Sequence, residues 1–182
     1  MAKKGLKFVG FGKYHLNNGV TTYTNGKHLS PAAAFNAANN SADLVDYGDD
    51  HDVETYNAFT GGNLTVELNN DEDELYTYLL GAQTSGTLAD QVIVSNVNDE
   101  KPYVGVGLIG QSGSSWVAKV YKKCIFSEPS DDNATKTDTV TFGHISLVGR
   151  ILIPDDGDWR IRKTFSTADA AISWLKDLFD IQ

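Results

Sequence analysis

The densest set of groups that could do chemistry is Asp49-Asp50-His51-Asp52-Val53-Glu54. In extended chain, Asp50, Asp52 and Glu54 project from one face and Asp49 and His51 from the other, because side chains alternate along a strand. Three carboxylates on one face could hold Ca²⁺. The segment lacks the spaced oxygen ligands and turn glycine of an EF-hand, however. Nor does the crowding demand a cation, since neighbours roughly 7 Å apart repel by only about 0.6 kcal/mol in water. A solvated acidic segment outweighs a metal site, and no cofactor or metal is expected.

Other candidates for chemistry carry less. The histidines at 15, 28, 51 and 144 are far apart, and none shows a two-histidine metal spacing. His144, in Phe142-Gly143-His144-Ile145, reads as a sheet-face or core histidine in preference to a catalytic base. Gly105-Val106-Gly107 sits within a strand pattern and opens no helix, so it is not a dinucleotide fingerprint. With Gly110, these glycines are expected at bends or close backbone approaches. Ser112 and Ser114 lie in a hairpin without a Gly-x-Ser-x-Gly elbow. The single cysteine, Cys124, is expected in the core, where no internal disulfide is open to it. A hydrolase using Asp50 or Glu54 would need a cleft between paired carboxylates, which sequence does not reveal. The chain is expected not to be an enzyme.

The elements around these residues are mostly strands. Val9–Leu16 reads as extended, and Asn17-Asn18-Gly19 turns the chain. Pro31–Ala38 fits helix or strand equally on alanine propensity and brevity. Asn63–Asn69 places Leu64, Val66 and Leu68 on one strand face. The period then changes. Asn70 or Asp71 could cap a short helix at about 71–80, with Asp71–Glu74 at its positive end, Leu75 and Leu79 one turn apart, and Gly81 as its stop. Strands are expected at Gln91–Asn96, Pro102–Gly110, Ser115–Phe126, Thr139–Pro154 and Trp159–Lys163, with a polar loop at Ser130–Thr137. A helix at about 167–180, capped by Ser166 or Thr167, carries the stripe Ala168, Ile172, Leu175, Leu178 and Phe179. The expected architecture is mainly β with minor α. It forms a single domain over 1–182, with an N-terminal segment 1–30, an acidic segment at about 41–62 and a C-terminal helix 166–182.

Charge divides the chain sharply. Residues 28–100 contain no lysine or arginine and hold 14 of the 24 acids, against a net charge of −9 for the whole chain. A sequence pI near 4.7 argues against a nucleic-acid binder, which would present a basic face. The basic start leads into no apolar signal core, so no secretion signal is read and synthesis in a reducing cytoplasm is expected. No apolar run suits a bilayer span, and no membrane partner is expected. The polarity suits stacking of copies or a surface that repels an anion. The acids at 71–74 are already accounted for by a helix N-terminus. Asp43, Asp46, Asp49, Asp50, Asp52 and Glu54 are not, and they are the candidate functional set.

Three runs in succession resemble the major tail protein (tail tube) family of long-tailed bacteriophages and prophages of Gram-positive bacteria. The first is Phe8-Val9-Gly10-Phe11-Gly12-Lys13-Tyr14-His15 with Gly19-Val20-Thr21-Thr22-Tyr23. The second is Asp49-Asp50 and Glu54, then Phe59-Thr60-Gly61-Gly62-Asn63-Leu64-Thr65-Val66-Glu67-Leu68, leading to Leu79-Leu80-Gly81. The third is Lys101-Pro102-Tyr103-Val104-Gly105-Val106-Gly107 with Tyr121–Pro129. Where the family often has an alanine before the paired aspartates, this chain has Asp46-Tyr47-Gly48. The resemblance implies a tail-tube β-sandwich or barrel with a flanking helix, a projecting acidic loop at about 41–62 and no catalytic motif. It implies a homo-oligomer of stacked, generally hexameric rings in the virion. The implied partners are a tape-measure protein, tail terminator and distal tail proteins, with DNA passing through unbound. It also implies that the acidic segment 43–54 faces the lumen or a neighbour, with Phe59, Gly61 and Gly62 at its end. From the residues alone, a β-sandwich module binding Ca²⁺ and carbohydrate through Asp49–Glu54 is the alternative.

Overall fold

The computed structural model describes residues 3–48, 51–87, 90–129 and 144–182, without the side chains of 3–4, 43–48 and 51–56. It is mainly β, with one large antiparallel sheet and little helix. The strands are β1 (Lys3–Asn17), β2 (Val20–Lys27), β3 (Ala32–Gly48), β4 (His51–Leu68), β5 (Gln83–Ser85), β6 (Val92–Val94), β7 (Val104–Ser112), β8 (Ser115–Phe126), β9 (Ile145–Ile151) and β10 (Arg160–Phe165). The large sheet runs β2-β1-β7-β8-β9-β4-β3, and β10 joins β8 beside β9; β5 and β6 form a separate hairpin. β1 and β3 lie toward opposite ends of that order yet approach each other, so the sheet curls around its contents.

Those contents are one main core. Val9 and Phe11 of β1, Leu64, Val66 and Leu68 of β4, Val104 and Val106 of β7, and Cys124 and Phe126 of β8 are all buried together. The alternation expected at Leu64, Val66 and Leu68 therefore points inward. The same core takes Leu75, Leu79 and Leu80 from α1 (Asp73–Leu75) and the π-helical turn Tyr76–Leu80 that continues it. The cap differs from expectation. Glu72 occupies the N-cap position and makes no side-chain cap bond, so neither Asn70 nor Asp71 serves. Gly81 ends the turn in the left-handed region at φ 78°, as a C-terminal glycine should.

A second core lies on the sheet's other face, under α2 (Ala168–Phe179). Thr167 caps this helix by accepting a hydrogen bond from the Ala170 amide at 3.3 Å. The buried residues are Ala171, Leu175 and Phe179, with Ile172 and Leu178 only partly covered; the seam is thus centred one residue round from the expected stripe. Its seat is made of glycine. Gly10 pairs with Gly107 and Gly12 with Gly105 across the β1–β7 ladder. A Cβ on Gly107 would fall 2.3 Å from Leu175 Cδ1, and one on Gly12 would fall 2.8 Å from Phe179 Cδ1. The expected close backbone approach is thus the landing of the C-terminal helix. Burying Leu175 and Phe179 stabilises this layer by roughly 1.5–3 kcal/mol each.

Several local expectations resolve here. Pro31–Ala38 is strand, because β3 gains a full ladder with β4 from Ala32 onward. The strand expected at Gln91–Asn96 is only Val92–Val94, and that at Thr139–Pro154 is described as Ile145–Ile151. Residues 130–143, including the expected polar loop, lie outside the described residues. His144 is exposed just before β9, belonging neither to the core nor to a strand face. Among the described residues no helix is long and apolar enough to cross a membrane.

Candidate functional site: the acidic hairpin arm

Asp43, Asp46, Asp52 and Glu54 do not lie in a loop. They belong to a continuous antiparallel hairpin in which β3 and β4 pair from Ala32–Leu68 out to Gly48–His51. A run of 17 or 18 residues in each strand outlasts the sheet that supports it. β9 pairs with β4 from Gly62 to Leu68, so beyond Gly62 the two strands have, among the described residues, only each other in the sheet. Eight residues, Ser41 to Gly48, carry the arm outward by about 26 Å at about 3.3 Å per residue. The correction has a simple cause: each added ladder pair satisfies backbone groups that a loop would leave to water. Asp49 and Asp50 lie outside the described residues.

The arm's root is built by the motif at Phe59, Gly61 and Gly62. The register shifts between Asn40↔Gly61 and Ser41↔Phe59, so Thr60 is an extra residue in β4. Gly61 adopts φ 130°, a conformation that favours glycine. A Cβ on Gly62 would sit 2.6 Å from the Ala38 carbonyl oxygen. Such a bulge bends a strand and increases its twist, and it lies where the hairpin leaves β9. Phe59 then stacks on Trp159 with ring centroids 3.7 Å apart and planes at 8°. Trp159 also carries the Arg160 guanidinium over its ring at 4.6 Å. Tyr121 lies 6.3 Å from Trp159 and stacks on Phe35 at 5.8 Å. The result is an aromatic ladder from β3 through β8 to the arm. Nothing local marks Trp159 as its partner, 100 residues on in sequence.

The arm's electrostatics follow from its register. Asp46 stands directly opposite Glu54, and Tyr47 opposite Asp52. Like charges directly opposite destabilise a hairpin, and residues 41–61 contain no lysine or arginine. Among the described residues no group of three or more His, Cys, Asp or Glu could hold a metal; the arm's side chains are not among them.

Several ionisable groups elsewhere in the molecule are tied into structure. Cys124 is buried, and burial pushes its thiol well above the ordinary range, away from nucleophilic chemistry. Burial likewise pushes the Tyr78 phenol up to about 12, and its hydroxyl donates to the Asn25 carbonyl at 2.7 Å. Lys122 is buried on β8 and pairs with Asp156, which also accepts from Thr21 Oγ1 at 2.9 Å. Among known proteins, no family profile and no curated sequence matches the chain.

Proposed function

We propose that the chain is a non-enzymatic structural subunit that self-assembles into stacked, hexameric rings forming a phage tail tube, a negatively lined conduit for DNA. The observation that carries this reading is the hairpin arm, two paired strands running far past the sheet that anchors them. A monomeric protein gains little from such an arm and pays for its like-charge register. A ring subunit uses it to reach a neighbour, and the edges of β3 and β10 that no strand among the described residues covers are of the kind that pair between chains. The charge division supports the same reading. DNA carries one phosphate charge per about 1.7 Å of axis, so a basic channel would hold it and an acidic wall lets it pass. The ordered succession of sequence runs that resemble tail tube proteins supports it independently. A tape-measure protein inside and terminator and distal tail proteins at the ends are the partners this role requires.

Negative-stain microscopy of concentrated protein tests the proposal, and rings or tubes are the expected result. A strict monomer at every concentration refutes it. If that monomer also melts at a higher temperature in millimolar Ca²⁺, the calcium and carbohydrate module is the better reading.

A further inference from the structure

The turn that joins β1 to β2 carries a chemically labile dipeptide. The chain has three steps in which glycine follows Asn or Asp: Asn18-Gly19, Asn25-Gly26 and Asp156-Gly157. Glycine has no side chain to hinder its own amide nitrogen, so that nitrogen can attack the preceding side-chain carbonyl. The attack needs the intervening peptide group to rotate toward the side chain. Tertiary contacts decide whether it can, and the three steps differ in them.

Asn25-Gly26 is held at both ends of its peptide group. The Tyr78 hydroxyl donates to the Asn25 carbonyl at 2.7 Å, and the Gly26 amide donates to the Asp180 carbonyl at 3.2 Å. Packing closes the space too, for a Cβ on Gly26 would lie 2.2 Å from the Phe179 carbonyl oxygen. Asp156-Gly157 is also restrained. The Gly157 amide donates to the Pro154 carbonyl at 2.9 Å, and the Asp156 carboxylate is tied to Lys122 and Thr21. A carboxylate is, besides, a far poorer electrophile than a carboxamide.

Asn18-Gly19 has none of these restraints among the described residues. The two residues form the loop closed by the Asn17↔Val20 pair. Their φ angles, 49° and 78°, are both positive, as the two-residue loop of a type I′ hairpin requires. A Cβ on Gly19 would meet nothing within 4 Å. Among the described residues no hydrogen bond holds the peptide group between them. Exposure does not set the step apart, since Asn18 and Asn25 are both exposed. The unrestrained peptide group does.

We infer that Asn18 is a site of spontaneous deamidation in the folded protein and that Asn25 is protected from it. The Gly19 amide nitrogen bonds to Asn18 Cγ, and the carboxamide nitrogen leaves as ammonia, taking up the proton that the Gly19 amide gives up. Water then opens the cyclic imide. Cleavage at Cγ leaves aspartate, and cleavage at the main-chain carbonyl leaves isoaspartate. Either product places a new negative charge between the exposed Leu16 and Val20. Isoaspartate also adds a carbon to the main chain of the loop, so the two-residue closure of Asn17 on Val20 is lost. The inference goes beyond the tube-subunit reading and does not rest on it.

Ageing the full chain in mildly alkaline buffer and mapping its peptides by mass spectrometry tests this, with enzymatic methylation to mark isoaspartate. In the folded protein Asn18 should convert at least about tenfold faster than Asn25, whose reaction waits on local opening. In urea the two rates should converge, because each is then an unrestrained Asn-Gly step. Tyr78→Phe, shown to be folded by circular dichroism, should quicken Asn25 and leave Asn18 unchanged. A folded protein in which Asn18 reacts no faster than Asn25 overturns the inference. A difference between the two that persists in urea overturns it as well, because local sequence and not the fold then sets the rates. An Asn25 rate that a folded Tyr78→Phe variant leaves unmoved overturns the restraint as its cause. If that variant does not fold, the comparison of folded with urea-unfolded wild type decides alone.

Discussion

Removing Asp156 should cost far more than removing the lysine it neutralises. The Lys122 side chain is 8% exposed and that of Asp156 is 20% exposed, and the two form an ion pair. Asp156 has further donors in Thr21 Oγ1 at 2.9 Å and the Asp158 amide at 3.2 Å. Asp156→Ala therefore leaves a buried ammonium with no carboxylate, a loss of about 3–5 kcal/mol for a fully buried pair. Because Asp156 borders solvent, water can enter where its carboxylate stood, and about 2–4 kcal/mol is expected here. Lys122→Met keeps the volume and the packing and removes the charge that has to be desolvated. Asp156 then still has its two other donors, so this variant should lie within about 1 kcal/mol of wild type. Urea unfolding at pH 7 measures both. The acid limb provides a second check. Desolvation works to raise the Asp156 carboxyl, but the hydrogen bonds from Lys122 and Thr21 outweigh it and hold the group below its ordinary value of 3.8. A depressed carboxyl contributes stability in full above the unfolded value and loses it as pH falls through the folded one. The gap between wild type and Asp156→Ala should be level from pH 5 to 8 and close only below about pH 4. Equal losses in the two variants, or a gap that closes between pH 5 and 8, would refute the reasoning.

Three further outcomes are expected. Gly26→Ala should destabilise by about 1–3 kcal/mol, since its Cβ would sit 2.2 Å from the Phe179 carbonyl oxygen, where backbone must move; thermal melting checks this. Cys124 should be inert to a thiol reagent in the folded protein and react fully in urea, since it is completely buried and its thiol is held protonated. Phe59→Ala loses the stack on Trp159, worth about 0.5–1.5 kcal/mol beyond its area; amide exchange along 57–61 should quicken while that of β7 and β8 does not change.

Much of this protein was legible locally. The alternation at Leu64, Val66 and Leu68, the glycine stop at Gly81, the Asn18-Gly19 turn and the Thr167 cap each depend on a few neighbouring residues, and each is where the spacing places it. The glycines at 105 and 107 announced a close approach without saying of what, and those at 10 and 12 read only as extended chain. Their partner, a helix about 70 residues beyond Gly107, is set by which strands lie beneath it. Likewise the acids from Asp43 to Glu54 stood out by composition, but whether they were loop or paired strand depended on a ladder joining Asp43 to Asn57 and Gly48 to His51. Lys122 reads as one cation in a Lys-Lys pair; its burial is decided by Asp156, 34 residues away. Sequence by itself determined the class of most elements and the division of charge, because periodicity, caps and composition act over a turn or a strand. Tertiary structure alone decided which faces meet and where the arm leaves the sheet, because those depend on ladders and packing summed across the whole chain.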